Sequence, residues 1–408
     1  MEKNRGLGLK VDLVIKHARV VGDNVVLDDA TVEIGGGTIR RVRPSCTDDG
    51  GIAGSPRVVD AQGAYLAPGF IDMHIHGLYE DLVDDGPDPM LAISANLPRY
   101  GVTGFLPTVT PLPPGKDAAM VADLAKAAAH STGASILGFH LEGPFLTLTG
   151  AIAPESLGPA EPARVEALMA AATPFPAIFS IAPDMPGIAP LIRIMTRGGA
   201  PVFMTHTQAG VVETQQAIAA GACHATHFYD VFPVPPVTEG GVRPCGAVEA
   251  ILAAPGVSVD FILDGVHVDP VAVQMALQCK GPDRVCLVTD AMVGAGLPPG
   301  RYIFGGREVI FDMPGAPARL FNCATGKAGG LCGSGLTLNL AVRNAVQLAG
   351  TTLPQAVRMA SANPAQTLRL SHRKGRLQPG YDADLVLFDD NFDVRQTWVA
   401  GKSVFTKE

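Results

Sequence analysis

Between residues 68 and 375, short apolar runs alternate with alanine-rich stretches that favour helix. Runs of four to eight apolar residues bounded by turn-forming residues predict buried strands, and the longer segments between them predict helices. Eight strands emerge: Gly69–His76, Gly101–Val109, Ser135–Glu142, Ala177–Pro183, Pro201–His206, Ala222–His227, Val257–Leu263 and Arg284–Asp290. Helices are predicted between several of them, at Asp117–His130, Pro162–Ala172, Val211–Ala220 and Pro270–Lys280. Strands alternating with helices eight times predict an α/β fold, a (β/α)8 TIM-type barrel. A doubly wound open sheet is the competing architecture, but the chain has no Gly-x-Gly-x-x-Gly nucleotide loop.

The two ends have a different pattern. Val11–Ile15, Ala30–Ile34 and Thr38–Val42 read as strands, with Gly35-Gly36-Gly37 as a turn, and Ala383–Phe388 and Val394–Val404 repeat that character. This predicts a small β-sandwich domain built from residues 1–67 and 376–408, around a catalytic barrel of residues 68–375. A loop is expected at 46–56. After Asp290, Tyr302–Phe311 resembles a hairpin turning at Gly305-Gly306. Helices follow at Leu336–Leu348 and Leu353–Ala362.

Composition narrows the class. At 47% hydrophobic and 17% charged residues, the chain has ample core and no disorder signature. A net charge of −8, without a basic block, gives no footprint for nucleic acid. No stretch approaches the roughly 18 apolar residues of a membrane span, and Met1–Arg5 is not followed by the apolar core of a signal peptide. Seven cysteines without Cys-x-x-Cys spacing fit a reduced, cytoplasmic protein.

The predicted strand ends carry the chemistry. On a strand, residues two apart share a face, so His74 and His76 project together from the first. Glu142 ends the third strand, His206 the fifth, His227 the sixth and Asp290 the eighth. In a barrel the carboxyl ends of the strands form the active face. Four imidazoles and a carboxylate suit Zn²⁺, with Fe²⁺, Mn²⁺ or Co²⁺ as alternatives. One ion needs three or four of these ligands; two ions use all five, with Glu142 bridging. A bound divalent ion lowers the pKa of water from about 15.7 to about 7. Asp290 is then placed as general base towards that water and as acid towards a leaving nitrogen. These groups predict metal-assisted hydrolysis of a carbon–nitrogen bond.

In the motifs Pro68–Gly77, Leu141–Phe145, Ala225–Tyr229, Asp264–Val268 and Leu287–Met292, the chain resembles the amidohydrolase superfamily, and within it the N-acetylglucosamine-6-phosphate deacetylases. The resemblance implies that Glu142, His206 and His227 hold the main metal, that His74 and His76 hold a second ion, and that Asp290 is the acid–base residue. It places His267 beside the substrate carbonyl or a sugar hydroxyl, and Ala151, Asp230 and Arg243 along the substrate. It also implies a small-molecule N-acyl amino sugar as substrate and a homodimer. Three segments depart from the family pattern. Asp230-Val231-Phe232 stands where the family has Asn-Ala-Met, and Ile152 replaces a histidine. The Arg-Glu-Pro-Gly segment becomes Gly240–Gly246, which contains Arg243. A carboxylate at Asp230 repels a phosphate in a low-dielectric pocket.

Other readings share parts of this pattern. The same barrel and ligands serve N-acyl amino acid deacylation, cyclic amide hydrolysis and deamination, which acetate-release and ammonia-release assays separate. A non-catalytic scaffold of the same fold would be expected to have lost metal ligands, whereas every one is present here.

Overall fold

The computed structural model describes residues 10–47, 55–304, 306–323, 325 and 327–408. The expected loop at 46–56 falls mostly on 48–54, outside the described residues, as does the Met1–Arg5 segment. Eight parallel strand positions form the barrel: Phe70–Ile75, Val102–Val109, Phe139–Glu142, Ala177–Ile181, Val202–Met204, Ala222–Ala225, Ser258–Ile262 and Val285–Val288. The short strand Ser135–Ile136 pairs with Val102–Val109 just ahead of the third position. There the predicted strand Ser135–Glu142 is interrupted at Gly138, where a side chain would lie 2.9 Å from Ile178.

The first and last strands close the ring. The Asp290 amide donates to the His74 carbonyl at 2.8 Å, and Ile75 bridges to Ala291 in parallel. Asp72 reinforces the seam by accepting from Thr289 Oγ1 at 2.7 Å. It is fully buried, and burial pushes its carboxyl up to about 7 despite the bonds from Thr289 and His74. Strands such as Ala177–Ile181 and Ser258–Ile262 are buried at every position. A parallel sheet covered on both faces requires this, and it explains why these segments are mostly apolar, interrupted only by Ser180 in the one and by Ser258 and Asp260 in the other.

Helices pack outside the ring at Pro87–Asn96, Lys116–Ala128, Pro162–Ala172, Ile188–Met195, Val211–Ala220, Ala247–Ala253 and Pro270–Lys280. Three of the predicted helices have the predicted bounds because their punctuation is strong. Pro270 opens its helix where no amide partner is needed, Asp269 caps it by accepting from Val271 N at 2.9 Å, and Gly281 follows its end. Leu353–Met359 is followed by a second short helix, Ala362–Thr367, so Pro364 lies in a first turn instead of marking a stop. No helix among the described residues is long and apolar enough to cross a membrane.

The chain ends do meet. Tyr65–Pro68 pairs antiparallel with Leu385–Phe388, joining N- and C-terminal strands into one eight-stranded sheet with its own core around Ile15, Leu66, Leu385 and the fully buried Trp398. From that sheet the chain enters the barrel through Gly69, where a Cβ would lie 2.2 Å from Thr103. The predicted hairpin forms as Gly300–Phe304 and Arg307–Phe311. It extends through Pro317–Asn322 and Lys327–Ser334 into a four-stranded antiparallel sheet that the sequence pattern did not reveal. Glycines at 329, 330 and 333 break the apolar alternation that would have signalled its last strand.

Candidate metal centre and active site

Three barrel strands finish in the same way. His206, His227 and Asp290 each stand two residues beyond their strands and each has a left-handed backbone, with φ of 46°, 33° and 45°. Such conformations are costly for residues other than glycine, and their concentration here marks a functional rim. Val231, a β-branched residue at φ 55°, extends the strained segment beyond His227. A threonine precedes each of the three, and its hydroxyl faces a group on another barrel strand. Thr205 Oγ1 lies 3.0 Å from His227 Nε2, Thr226 Oγ1 lies 3.1 Å from His74 Nδ1, and Thr289 Oγ1 donates to Asp72.

Glu142 sits at the centre. Its Oε1 is 3.2 Å from His206 Nε2 and 3.1 Å from His227 Nε2; its Oε2 is 3.2 Å from His76 Nε2. On the first strand, His74 Nε2 and His76 Nε2 face each other at 3.2 Å, and Asp290 Oδ1 is 3.4 Å from both. All six residues are buried, Asp290 the most open of them. Their ligand atoms form two overlapping groups able to hold a cation, His74–His76–Glu142 and Glu142–His206–His227.

The outer nitrogens set the inner ones. Leu148 O lies 3.0 Å from His206 Nδ1, which therefore carries the proton and leaves the Nε2 lone pair inward. Gly150 makes room for that ring: a Cβ at its φ of 55° would lie 2.7 Å from His206 Cε1. His74 Nδ1 donates to Thr226 in the same sense. Lone pairs converging on a buried carboxylate need positive charge between them. Burial works against charging His76 and His227, yet Glu142 and Asp290 raise them to about 9 and about 10. Glu142 is held well below the usual carboxylate range, because its imidazole neighbours outweigh the effect of burial. That appetite for positive charge, with nitrogen and oxygen donors, fits a divalent cation.

Behind the cluster lies a group the sequence did not single out. Asp260, fully buried, accepts from His227 N at 2.6 Å, from Thr226 Oγ1 at 3.2 Å and from His224 Nε2 at 2.7 Å. Through Thr226 it reaches His74, so one carboxylate supports both ligand groups. The interruption of an apolar strand by a carboxylate, in Ser258-Val259-Asp260-Phe261, is the signal that could have found it.

A cavity of about 650 Å³ opens over the cluster. His76, Glu142, His206, His227, Asp290, His267, Asp230 and Ala151 all line it. The buried His267 side chain is gripped by Asp264, which accepts from its Nδ1 at 2.7 Å and from its amide at 2.9 Å. Burial opposes the imidazolium, but Asp264 outweighs it and raises the His267 pKa. Arg243 is not brought to the cavity. It is largely exposed on the loop outside and pairs with Glu249 Oε1 at 2.6 Å. Arg307, from the second strand of the predicted hairpin, lines the cavity instead, donating to Ala151 O at 2.8 Å.

A parallel barrel with this histidine and carboxylate cluster on its rim defines a class. The chain belongs to the amidohydrolase family, which it matches over residues 65–404. Relatives within that family include amino sugar phosphate deacetylases. It is 32% identical over 393 residues to N-acetylgalactosamine-6-phosphate deacetylase of Escherichia coli O157:H7, covering 95% of this chain and 98% of the relative. To N-acetylglucosamine-6-phosphate deacetylase of Bacillus subtilis it is 32% identical, covering 96% and 97%. The solved N-acetyl-D-glucosamine-6-phosphate deacetylase of Mycobacterium smegmatis, as a mutant in complex with N-acetyl-D-glucosamine-6-phosphate, superposes with a TM-score of 0.85. Identity there is 27%, over 97% of this chain and all of that one.

Proposed function

We propose that this protein hydrolyses the acetamide of an N-acetylated amino sugar, releasing acetate and the free amine. The convergence of Glu142 with four imidazole Nε2 atoms under a sugar-sized cavity carries the reading. Glu142, His206 and His227 would hold one divalent ion, with zinc the best match to the donors, and His74 and His76 with Glu142 would hold a second. A cation so held supplies Lewis acidity and makes water acidic enough to attack near neutral pH. Asp290 takes the proton of the attacking water and returns it to the amide nitrogen as the carbon–nitrogen bond breaks. His267 has Nδ1 committed to Asp264, so its Nε2 is the atom that meets a substrate oxygen. The Asp264 carboxylate keeps that ring oriented and favours its charged form. We further propose a cytoplasmic homodimer, from the free cysteines and the likeness to the deacetylases.

Acetate release from N-acetylated amino sugars by zinc-loaded protein tests the reading. Asp290→Asn should lower kcat by about 10²–10⁴ while leaving the fold and metal content intact. Ammonia release without acetate would replace it with a deaminase.

A further inference from the structure

Resting on the metal-binding reading above, we propose that Asp184 is a positioning residue for the ion held by Glu142, His206 and His227. Asp184 follows the fourth barrel strand, Ala177–Ile181, in Ala182-Pro183-Asp184, and stands outside the cavity lining. The backbone sets its place: Ala182 N donates to Phe145 O at 2.9 Å, and Thr205 N donates to Ile181 O at 2.9 Å. The chain beyond the third strand and the chain beyond the fifth therefore flank it. One carboxylate oxygen, Oδ1, accepts a hydroxyl from each side, from Thr147 at 2.9 Å and from Thr207.

Those two threonines bracket the contact that orients His206. Leu148, next to Thr147, donates its amide to His206 O at 3.0 Å, and its carbonyl accepts from His206 Nδ1 at 3.0 Å. Thr207 is the residue after His206. Asp184 thus closes a ring of contacts in which Leu148 grips both the backbone and the imidazole of a metal ligand held at a φ of 46°. Ala209 N donates to Thr207 Oγ1 at 3.0 Å, which leaves the Thr207 proton for Asp184. The single Thr147 proton has Asp184 at 2.9 Å and His206 O only at the longer 3.3 Å. A carboxylate is an acceptor only, so one oxygen serves both hydroxyls. Without it two donors lose their acceptor, and the Leu148 carbonyl that fixes the His206 tautomer loses its anchor.

The experiment reads zinc affinity of the full chain by chelator competition, and the visible spectrum of the cobalt(II)-loaded chain, which follows ligand geometry. Asp184→Ala should weaken zinc binding at Glu142, His206 and His227 by about tenfold, the lower end for groups that orient a ligand from behind it, and should shift the spectrum. Asp184→Asn keeps an oxygen towards the threonines and should recover most of that affinity. Thr147→Val removes one hydroxyl from the ring and should weaken zinc severalfold. Added to Asp184→Ala it should cost little more, because both break the same ring. An unshifted spectrum, or zinc affinity within about twofold of the parent, in Asp184→Ala overturns the inference and leaves metal binding standing. Thr147→Val is judged in the same way should the alanine variant fail to fold. Losses that simply add also overturn it, since they assign the effect to two unrelated contacts. A parent that binds no zinc overturns the metal-binding reading, and the inference with it.

Discussion

Replacing Asp260 by asparagine probes how the barrel interior commands the rim. The carboxylate satisfies three buried donors, from His224, Thr226 and His227, all at the end of the Ala222–Ala225 strand. An amide of the same shape can keep the oxygen that faces His227 N, but its NH₂ then meets His224 Nε2. His224 can surrender that proton and carry it on Nδ1, where Ser258 Oγ lies 2.7 Å away and can rotate to accept. The fold therefore survives, and charge-assisted bonds become neutral ones at a cost of about 1–3 kcal/mol. The larger effect falls on the metal. Thr226 and the His227 amide then donate to a neutral oxygen in place of a charged one, which loosens the orientation Thr226 gives His74 at 3.1 Å and the hold on His227 at a φ of 33°. Supporting groups of this kind are worth about 10–100-fold in metal affinity or activity. Competition with a chelator should show zinc affinity weakened in that range, with the circular dichroism spectrum unchanged. A variant that melts earlier but binds zinc within about twofold of the parent would refute the argument, reducing Asp260 to a packing group.

Three further outcomes follow from other parts of the molecule. Stripping with a chelator should abolish hydrolysis and lower the melting temperature, with zinc restoring both; an ion at 100 times its Kd stabilises by about 2.7 kcal/mol, which calorimetry reads directly. In the chain-end sheet, burial raises Glu33, but Arg41 at 2.9 Å and Arg43 at 2.8 Å hold its pKa below the ordinary 4.5. A depressed carboxylate contributes stability above its unfolded pKa and loses it as pH falls through the folded value. Glu33→Gln should therefore cost about 3 kcal/mol in urea unfolding at pH 7, and the gap to the parent should close below about pH 4. Trp398→Ala should cost about 3–5 kcal/mol, since the indole is fully buried in that same core.

How far the sequence could be read depended on the range of the interaction concerned. Strand and helix periods are local, so the eight barrel strands and the helix Pro270–Lys280 were legible from apolar runs, a capping Asp269 and a following Gly281. Site residues were legible because barrel topology sends every strand end to one rim. His206 and His227 needed no knowledge of their neighbours, only of their place in the order of strands. What stayed hidden depends on pairing across strands. Nothing near Asp260 in the chain says that its carboxylate reaches Thr226 and the His227 amide, 34 and 33 residues away in sequence. Nor could Arg243 be placed: its segment matches a family motif in style, but the loop geometry turns it to Glu249. The cavity instead receives Arg307, from a hairpin that was legible as strands but whose place over the barrel rim was not. Residues that supply chemistry must have particular side-chain types and so leave a compositional trace. Residues that orient them need only a hydroxyl or carboxylate at the right distance, and distance is written in the fold. The lining of the cavity belongs to that second class: Asp84 and Glu155, far apart in the chain, come to one cavity only because the barrel sets them there.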